Sequence, residues 1–223
     1  METHRQCVVK STLLSQKPRD NSALIAIAAV LMISLVSVFC WKEDPALCKD
    51  FSAIPERVFR DGEYWRLFTA IGVHADLKHL LSNAILFTFF SYLLYGYFGV
   101  LMFPLLTLLL GGVVNYLSLL TYPEGIRLVG ASGLVYLMAG FWLVIYVLIE
   151  RRLPVKKRVL RSVGVGLVVL VPTALQPSVS YRTHAIGFAV GIAAGITYFM
   201  AMKRAIRAAE TVESDEVDEM VIM

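Results

Sequence analysis

Charged side chains are scarce in this chain, and their scarcity excludes an ordinary soluble domain. They make up 17% of the 223 residues, whereas soluble globular domains carry about 25%. Hydrophobic residues account for 57%, and the mean hydropathy is +0.67. We therefore expect an integral membrane protein that is embedded in a lipid bilayer. The net charge of only +4 gives no reason to expect a nucleic-acid partner.

Cysteine is also scarce. The three cysteines, Cys7, Cys40 and Cys48, do not make a disulfide framework. Cys40 and Cys48 both fall near the same predicted face of the membrane, so a disulfide between them and a pair of separate thiols both stay open. The sequence has no CxxC pair and no His–Cys cluster, and we expect neither a metal nor a cofactor.

Alternation of apolar and polar residues is missing, which argues against membrane-spanning strands. The apolar runs are instead continuous and long enough for helices that cross a bilayer. Six such runs are predicted, at residues 23–40, 79–98, 100–121, 133–149, 160–176 and 184–202. The fifth run is the least regular, because Arg161 lies at its start and Pro172 lies near its end.

A cleavage site for signal peptidase is missing as well. The first apolar run is followed by Trp41, Lys42 and Glu43 rather than by small residues, so we interpret it as a retained signal anchor. The basic segment before this run leaves an organelle presequence as an alternative, although Glu2 and Asp20 argue against one.

Basic residues are distributed unevenly between the two sides of the predicted membrane domain. Thirteen of the 21 Lys and Arg residues fall in segments 1–22, 150–161 and 203–223, which six spans place on one side. The positive-inside rule makes that side cytoplasmic, with both termini on it. The chain thus divides into a cytoplasmic N-terminal segment 1–22, a membrane domain 23–202 with a long outer loop 41–78, and a cytoplasmic acidic tail 203–223. We expect short amphipathic helices on the membrane interface in the loop, and a solvated, frayed segment at residues 210–219.

Two polar residues interrupt the apolar background at matching depths. Ser132 and His184 each begin an apolar run, and they lie 19 positions before Arg151 and Lys203, respectively. At about 1.5 Å per residue this separation is roughly 28 Å, which puts both near the outer edge of the bilayer core. A lone serine is more often a packing residue, and a lone histidine is as often an interfacial one. Together, at one depth, they predict a nucleophile and its general base.

Further polar residues fit the same prediction. His79 and Asn83 lie four residues apart on one helical face at a similar depth. They can stabilise an oxyanion together with the backbone N–H group of Ser132. Tyr136 lies four residues after Ser132 and is expected to stack on His184.

Small residues and missing carboxylates complete the pattern. Gly187, Gly191 and Gly195 recur every four residues in the last run, a spacing that lets two membrane helices pack closely. The fourth and sixth runs contain no Asp or Glu, so the prediction is a Ser–His dyad rather than a triad.

These residues occur together as short motifs over about residues 62–200. The motifs are Trp65-Arg66, His74, His79, Asn83, Gly130-Ala131-Ser132-Gly133, Tyr136 and His184-xx-Gly187-xxx-Gly191. The set resembles the rhomboid family of intramembrane serine proteases. The resemblance implies an all-α polytopic membrane protein with the six-transmembrane-helix rhomboid fold. It also implies that Ser132 is the nucleophile, that His184 is the general base, and that His79, Asn83 and the Ser132 backbone form the oxyanion hole. Gly130, Gly133, Tyr136, Gly187 and Gly191 would support this site, and Trp65-Arg66 would belong to a structured first loop.

The resemblance further implies an activity and a location. We expect hydrolysis of a peptide bond in or near the transmembrane helix of a membrane-protein substrate, through an acyl-enzyme intermediate. The short ends resemble the simple bacterial six-span form, so we expect a bacterial inner membrane. Two other functions stay open: a rhomboid-like protein that holds membrane clients without cleaving them, and a small transporter. Internal repeats typical of transporters are not visible.

Overall fold

The structure is a computed structural model that describes residues 6–42, 50–174 and 180–215. Helices dominate it, as the continuous apolar runs predict. Their bounds are α1 (Ser22–Lys42), α2 (Pro55–Phe59), α3 (Arg66–Gly72), α4 (Leu77–Phe98), α5 (Thr107–Leu119), α6 (Ser132–Ile149), α7 (Val155–Ala174) and α8 (Tyr181–Ala208), with a single 3-10 turn at Leu13–Ser15. The prediction of an all-α polytopic membrane fold is confirmed.

Each predicted run overlaps a helix, but some helices begin earlier than hydropathy indicates. α4 begins at Leu77, where the Asp76 side chain caps it by accepting a 2.7 Å hydrogen bond from the His79 N–H. α8 begins at Tyr181, and Ser180 caps it by accepting from the Thr183 N–H. Polar residues fill these first turns because a capping side chain satisfies N–H groups that lack a partner in the helix. Hydropathy does not detect such turns.

The third apolar run, 100–121, is not one continuous helix. Residues Leu101–Leu106 form a π-type turn that is interrupted at Phe103, whose backbone is extended (φ −128°, ψ 123°). Pro104 follows, and it cannot donate a helical hydrogen bond because it has no N–H. The regular helix α5 therefore starts only at Thr107.

Membrane crossing is supported most directly for five helical segments. Within the described residues, α1, α4, Leu101–Leu119, α6 and α8 are long and apolar enough to span a bilayer. α7 is 20 residues long, but it carries four basic residues near its start, at 156, 157, 158 and 161. The prediction that α7 is a sixth span is supported by a different observation, the position of the chain ends.

The two ends of the described chain meet in a small sheet. Strand β1 (Gln6–Ser11) pairs antiparallel with β2 (Thr211–Asp215), and Lys10 forms a 2.9 Å ion pair with Glu213. Both ends therefore lie on the same side of the bundle, which requires an even number of crossings. Five apolar helices and α7 give six.

This sheet corrects one expectation. Residues 210–219 are expected to be solvated and frayed, but residues 211–215 form β2 because β1 offers them a hydrogen-bonding edge. Residues 216–223 lie outside the described part of the chain, as does Cys48, so the predicted alternatives for Cys40 and Cys48 are not decided. The domain limits stay a prediction.

α6 is the central helix, and its main partner is α8. Its residues Leu137, Met138 and Phe141 are almost completely buried. The two backbones touch at glycines: a Cβ atom on Gly187 or Gly191 would come closer than 3.0 Å to a carbonyl oxygen of α6. The predicted close approach of the fourth and sixth runs is thus present, because only glycine leaves room for it.

The first loop is part of the bundle rather than a layer on its surface. Val58 of α2 and Ala70 and Ile71 of α3 are buried, so the short helices that were expected here pack one face on the bundle, and their place at the membrane interface stays a prediction. Arg66 is buried as well, where it forms an ion pair with Glu63. This packing occurs because α3 inserts its apolar face against α1 and α5.

Candidate functional site

A polar cavity of 340 Å³ lies between the N-terminal ends of α4, α6 and α8. Its lining includes the hydroxyl-bearing Ser132 and the imidazole-bearing His184, together with Asn83, His79 and Tyr136. His184 and Asn83 are 7% and 6% exposed, so the polar groups are largely withdrawn from the surface. Three helices that begin at the same end of the bundle thus bring all five predicted polar site residues to one cavity.

The α6–α8 contact determines how Ser132 and His184 face each other. Gly133, the residue after Ser132, packs on the Thr183 side chain, and a Cβ on Gly133 would come within 2.8 Å of it. One turn further along α6, the Tyr136 ring stacks on the His184 ring, with centroids 4.0 Å apart and planes at 13°. The predicted stacking of Tyr136 on His184 is present, and it restricts the rotation of the imidazole.

Ser132 and His184 share the cavity without being hydrogen-bonded to each other. Within the described part of the chain, no hydrogen bond joins the Ser132 hydroxyl to the His184 ring. Catalytic hydrogen bonds are often long in unliganded enzymes and shorten when substrate binds.

Gly130 shapes the chain just before Ser132. Its φ of +105° is strained for residues with a side chain, and its N–H donates a 2.8 Å hydrogen bond to the Ala70 carbonyl. A Cβ atom here would also lie 2.6 Å from the His79 ring. The position needs glycine for two independent reasons, backbone conformation and space.

His74 holds Ala131, the residue between Gly130 and Ser132, by a hydrogen bond. The Ala131 N–H donates a 3.2 Å hydrogen bond to Nε2 of His74, so Nε2 is the acceptor and Nδ1 carries the proton. Nδ1 then donates to the Ser37 hydroxyl of α1, 3.0 Å away. Ser37 in turn donates to a backbone carbonyl of Ile33 or Gly72. This relay connects α1, the first loop and the residue that precedes the candidate nucleophile.

The His74 ring must be neutral for this arrangement. It is fully buried, and this burial lowers its pKa from the ordinary 6.5 to about 4, with a smaller contribution from repulsion by His79. A protonated ring would turn Nε2 into a donor that faces the donor N–H of Ala131. Burial therefore keeps the ring in the one protonation state that can hold Ala131.

Asn83 and His79 form the opposite wall. The Asn83 side-chain amide donates to the His79 carbonyl at 3.1 Å, which uses one of its two N–H groups. The other N–H remains to serve the cavity. His79 packs edge-on against His74, with ring centroids 5.1 Å apart. An amide and an imidazole therefore flank the start of α6, where the first N–H groups of the helix also lack helical partners.

A comparison of the sequence with known protein families agrees with this site geometry. Residues 61–201 match the rhomboid domain, a segment that covers more than half of the chain and every residue that lines the polar cavity. The chain belongs to the rhomboid family. Rhomboid proteins are in general intramembrane serine proteases, which act on transmembrane substrates. No curated protein matches this chain significantly.

Several residues of this rhomboid site were not predicted with their present roles. In the sequence His74 is only one piece of a motif, and nothing connects this loop residue to Ser37, which lies 37 residues earlier in α1. Asp76 and Ser180 were overlooked as caps, although an Asp or Ser just before an apolar run is a usual signal for a helix start. Side-chain hydrogen bonds of Ser180 with Thr183 and Tyr122 also join the start of α8 to the loop before Ser132.

Proposed function

We propose that this rhomboid protein cleaves peptide bonds in or beside transmembrane helices, with Ser132 as the nucleophile and His184 as the general base. The observation that carries the proposal is the shared polar cavity, in which a hydroxyl and an imidazole from two helices meet against a stacked Tyr136. Burying a polar pair at membrane depth costs free energy, so such a pair indicates a functional site.

In the proposed reaction, the Ser132 oxygen attacks the carbonyl carbon of the substrate while His184 takes the hydroxyl proton. The negative charge then develops on the carbonyl oxygen. The second N–H of Asn83, the His79 ring and the backbone N–H of Ser132 are the donors that stabilise it. His184 returns the proton to the leaving amine, which leaves an acyl-enzyme on Ser132. A water molecule, deprotonated by His184, hydrolyses this ester and restores the enzyme.

The base must be oriented without help from a carboxylate on α6 or α8. The parallel stack of Tyr136 and His184 performs this task by fixing the plane of the imidazole. The fixed start of α6 performs the corresponding task for the nucleophile, since Gly130 and Ala131 are both held by hydrogen bonds. Because the Tyr136 stack and these hydrogen bonds orient the proposed dyad, no carboxylate has to be placed on α6 or α8 for that task.

The substrate class follows from the location. A transmembrane helix hides its carbonyl groups in internal hydrogen bonds, so it must unwind before Ser132 can reach one. Substrates with glycine or with serine near the cut are expected to unwind at the lowest cost. With both termini cytoplasmic, the cut falls near the outer face of the membrane.

The experiment is cleavage of a model single-span substrate by the purified protein in proteoliposomes. We expect Ser132→Ala and His184→Ala to abolish cleavage while the protein still folds. Ser118→Ala is the matched control, because Ser118 is a buried helical serine on α5 that bonds only its own helix. Cleavage by Ser132→Ala at a near-normal rate would refute the proposal, and a well-folded wild type that binds but never cleaves would favour a client-holding protein.

A further inference from the structure

A second cavity lies in the same bundle, displaced from Ser132 toward the C-terminal end of α6. It has a volume of 370 Å³ and is walled by α6, α7 and α8. Its lining is almost wholly apolar and consists of Leu143, Val144, Val147, Val159, Ser162, Val163, Gly166, Leu167, Phe188 and Ile192. The α6 part of this wall starts 11 residues after Ser132, which is roughly 16 Å along the helix. We call it the apolar cavity.

The hydroxyl group in the lining of this cavity already has a hydrogen-bond partner, so the lining does not favour a polar ligand. Its one hydroxyl, on Ser162, already donates a 2.8 Å hydrogen bond to the Leu143 carbonyl. Gly166 keeps the space open, because a Cβ there would be 3.3 Å from the Leu143 side chain. Val163 and Leu167 are both more than half exposed on the outer surface of α7, where the bilayer lies. The cavity is therefore open to an acyl chain from the surrounding lipid.

Cations gather at the end of α7 that precedes the cavity. Lys156 lies three and seven residues before Val159 and Val163, so helical geometry puts it one turn beyond the lining on the same face. Lys156 and its neighbour Lys157 are exposed. Among the described residues neither has an acidic partner within ion-pair distance, whereas Arg151 is paired with Glu210.

Arg158 supplies a third cation close to the wall. One of its guanidinium nitrogens donates a 2.6 Å hydrogen bond to the carbonyl of Val147, which is itself a lining residue. Its Nε atom is buried and, as far as the chain is described, has no hydrogen-bond partner. An N–H donor left in this state is costly, and a phosphate oxygen would satisfy it.

We propose that the apolar cavity binds one acyl chain of an anionic phospholipid, whose phosphate group lies on Lys156, Lys157 and Arg158. An apolar slot that opens to the bilayer and ends at uncompensated cations matches the two halves of such a lipid. Basic pockets between transmembrane helices bind anionic headgroups in this way. The site is separate from the polar cavity and does not depend on the proposed protease activity.

The test is native mass spectrometry of the full chain released from detergent with added phosphatidylglycerol or phosphatidylcholine of identical acyl chains. We expect phosphatidylglycerol to be retained preferentially. The double variant Lys156→Gln, Lys157→Gln should lose about fivefold in affinity per charge for phosphatidylglycerol and little for phosphatidylcholine. The matched control is Lys203→Gln with Arg204→Gln, two exposed cations at the end of α8.

A second pair of variants tests the acyl-chain half of the site. Gly166→Leu fills the cavity and should lower the retention of both lipids, whereas Gly164→Leu should not, since nothing lies within 4 Å of a Cβ at Gly164. Equal retention of the two lipids by the wild type would overturn the proposal. So would an equal loss in the two charge variants. Displacement of the lipid by a substrate helix in proportion to cleavage would instead assign the cavity to substrate.

Discussion

The two cavities of this protein have nearly the same volume, 340 and 370 Å³, and both use α6 and α8 as walls. They differ in the third helix. α4 presents His79 and Asn83 to the first cavity, whereas α7 presents Val159 and Val163 to the second. One pair of tightly packed helices thus supports a site suited to chemistry at the start of α6 and a site suited to lipid further along α6.

The comparison teaches what the α6–α8 contact contributes. It is a backbone-to-backbone contact that leaves no space of its own, because glycines lie at each point of closest approach. The character of each cavity is therefore determined by the helix added to the pair. The rigid pair also keeps the two cavities apart, so changes at one end should reach the other only through this contact.

The largest effect is expected where the two cavities share their wall. Gly191→Val places a side chain against the Leu137 carbonyl, where no space exists, so both cavities should be lost together with folding. We expect destabilisation of about 3 kcal/mol or more and no cleavage. Gly164→Val is the control, because that glycine faces open space. Thermal unfolding in detergent measures the difference, and equal stability of the two variants would contradict the close contact.

The next effect concerns the polar cavity alone. Asn83→Ala should lower the cleavage rate by about 10²–10³-fold, the usual cost of losing one oxyanion donor, with little change in lipid retention. Ser82→Ala is a close control, because the Ser82 hydroxyl and the Asn83 amide both donate to the His79 carbonyl. If both variants slow cleavage equally, Asn83 acts only through its hydrogen bond to the His79 carbonyl.

A pH dependence is expected beside the polar cavity, where His74 holds Ala131 just before Ser132. His74 has a pKa of about 4 in the folded protein and an ordinary value of 6.5 when unfolded, so the unfolded chain binds its proton first as the pH falls. The stability held by neutral His74 is complete above pH 6.5 and is lost as the pH falls toward 4. The loss amounts to about 3 kcal/mol.

His74→Gln removes this titration while it keeps a donor and an acceptor. We expect the free energies of unfolding of the wild type and the variant to converge by about 3 kcal/mol between pH 6.5 and 4. Chemical unfolding at several pH values measures this convergence. A constant difference across the range would show that His74 does not hold Ala131 in the proposed way.

The smallest effect is expected at the stacked ring. Tyr136→Leu removes the stack on His184 and should slow cleavage by about 2- to 10-fold, which corresponds to about 0.5–1.5 kcal/mol. Tyr136→Phe keeps the ring and should retain most of the activity. Steady-state cleavage rates in proteoliposomes measure both. Equal losses in the two variants would assign the contribution of Tyr136 to its hydroxyl rather than to its ring.

The sequence predicts the helices and the pairing of α6 with α8 well, because apolar runs and the Gly187–Gly191 spacing are local signals. It also predicts which five polar residues line the cavity, since helical periodicity and a family resemblance both apply to them. The contact of His74 with Ser37 and Ala131 could not be predicted, because it joins three distant segments by tertiary packing alone. The pairing of β1 with β2 could not be predicted for the same reason. The apolar cavity arises from a gap between helices, which no residue pattern encodes.

The central claim is that Ser132 is a nucleophile activated by His184 within the polar cavity. Covalent labelling with a fluorophosphonate, followed by peptide mass spectrometry, tests it most directly. The account predicts that the folded wild type is labelled at Ser132, that Ser132→Ala is not labelled, and that His184→Ala is labelled at least about 100-fold more slowly. Folded wild type that stays unlabelled, or a His184→Ala variant labelled at the wild-type rate, would contradict it.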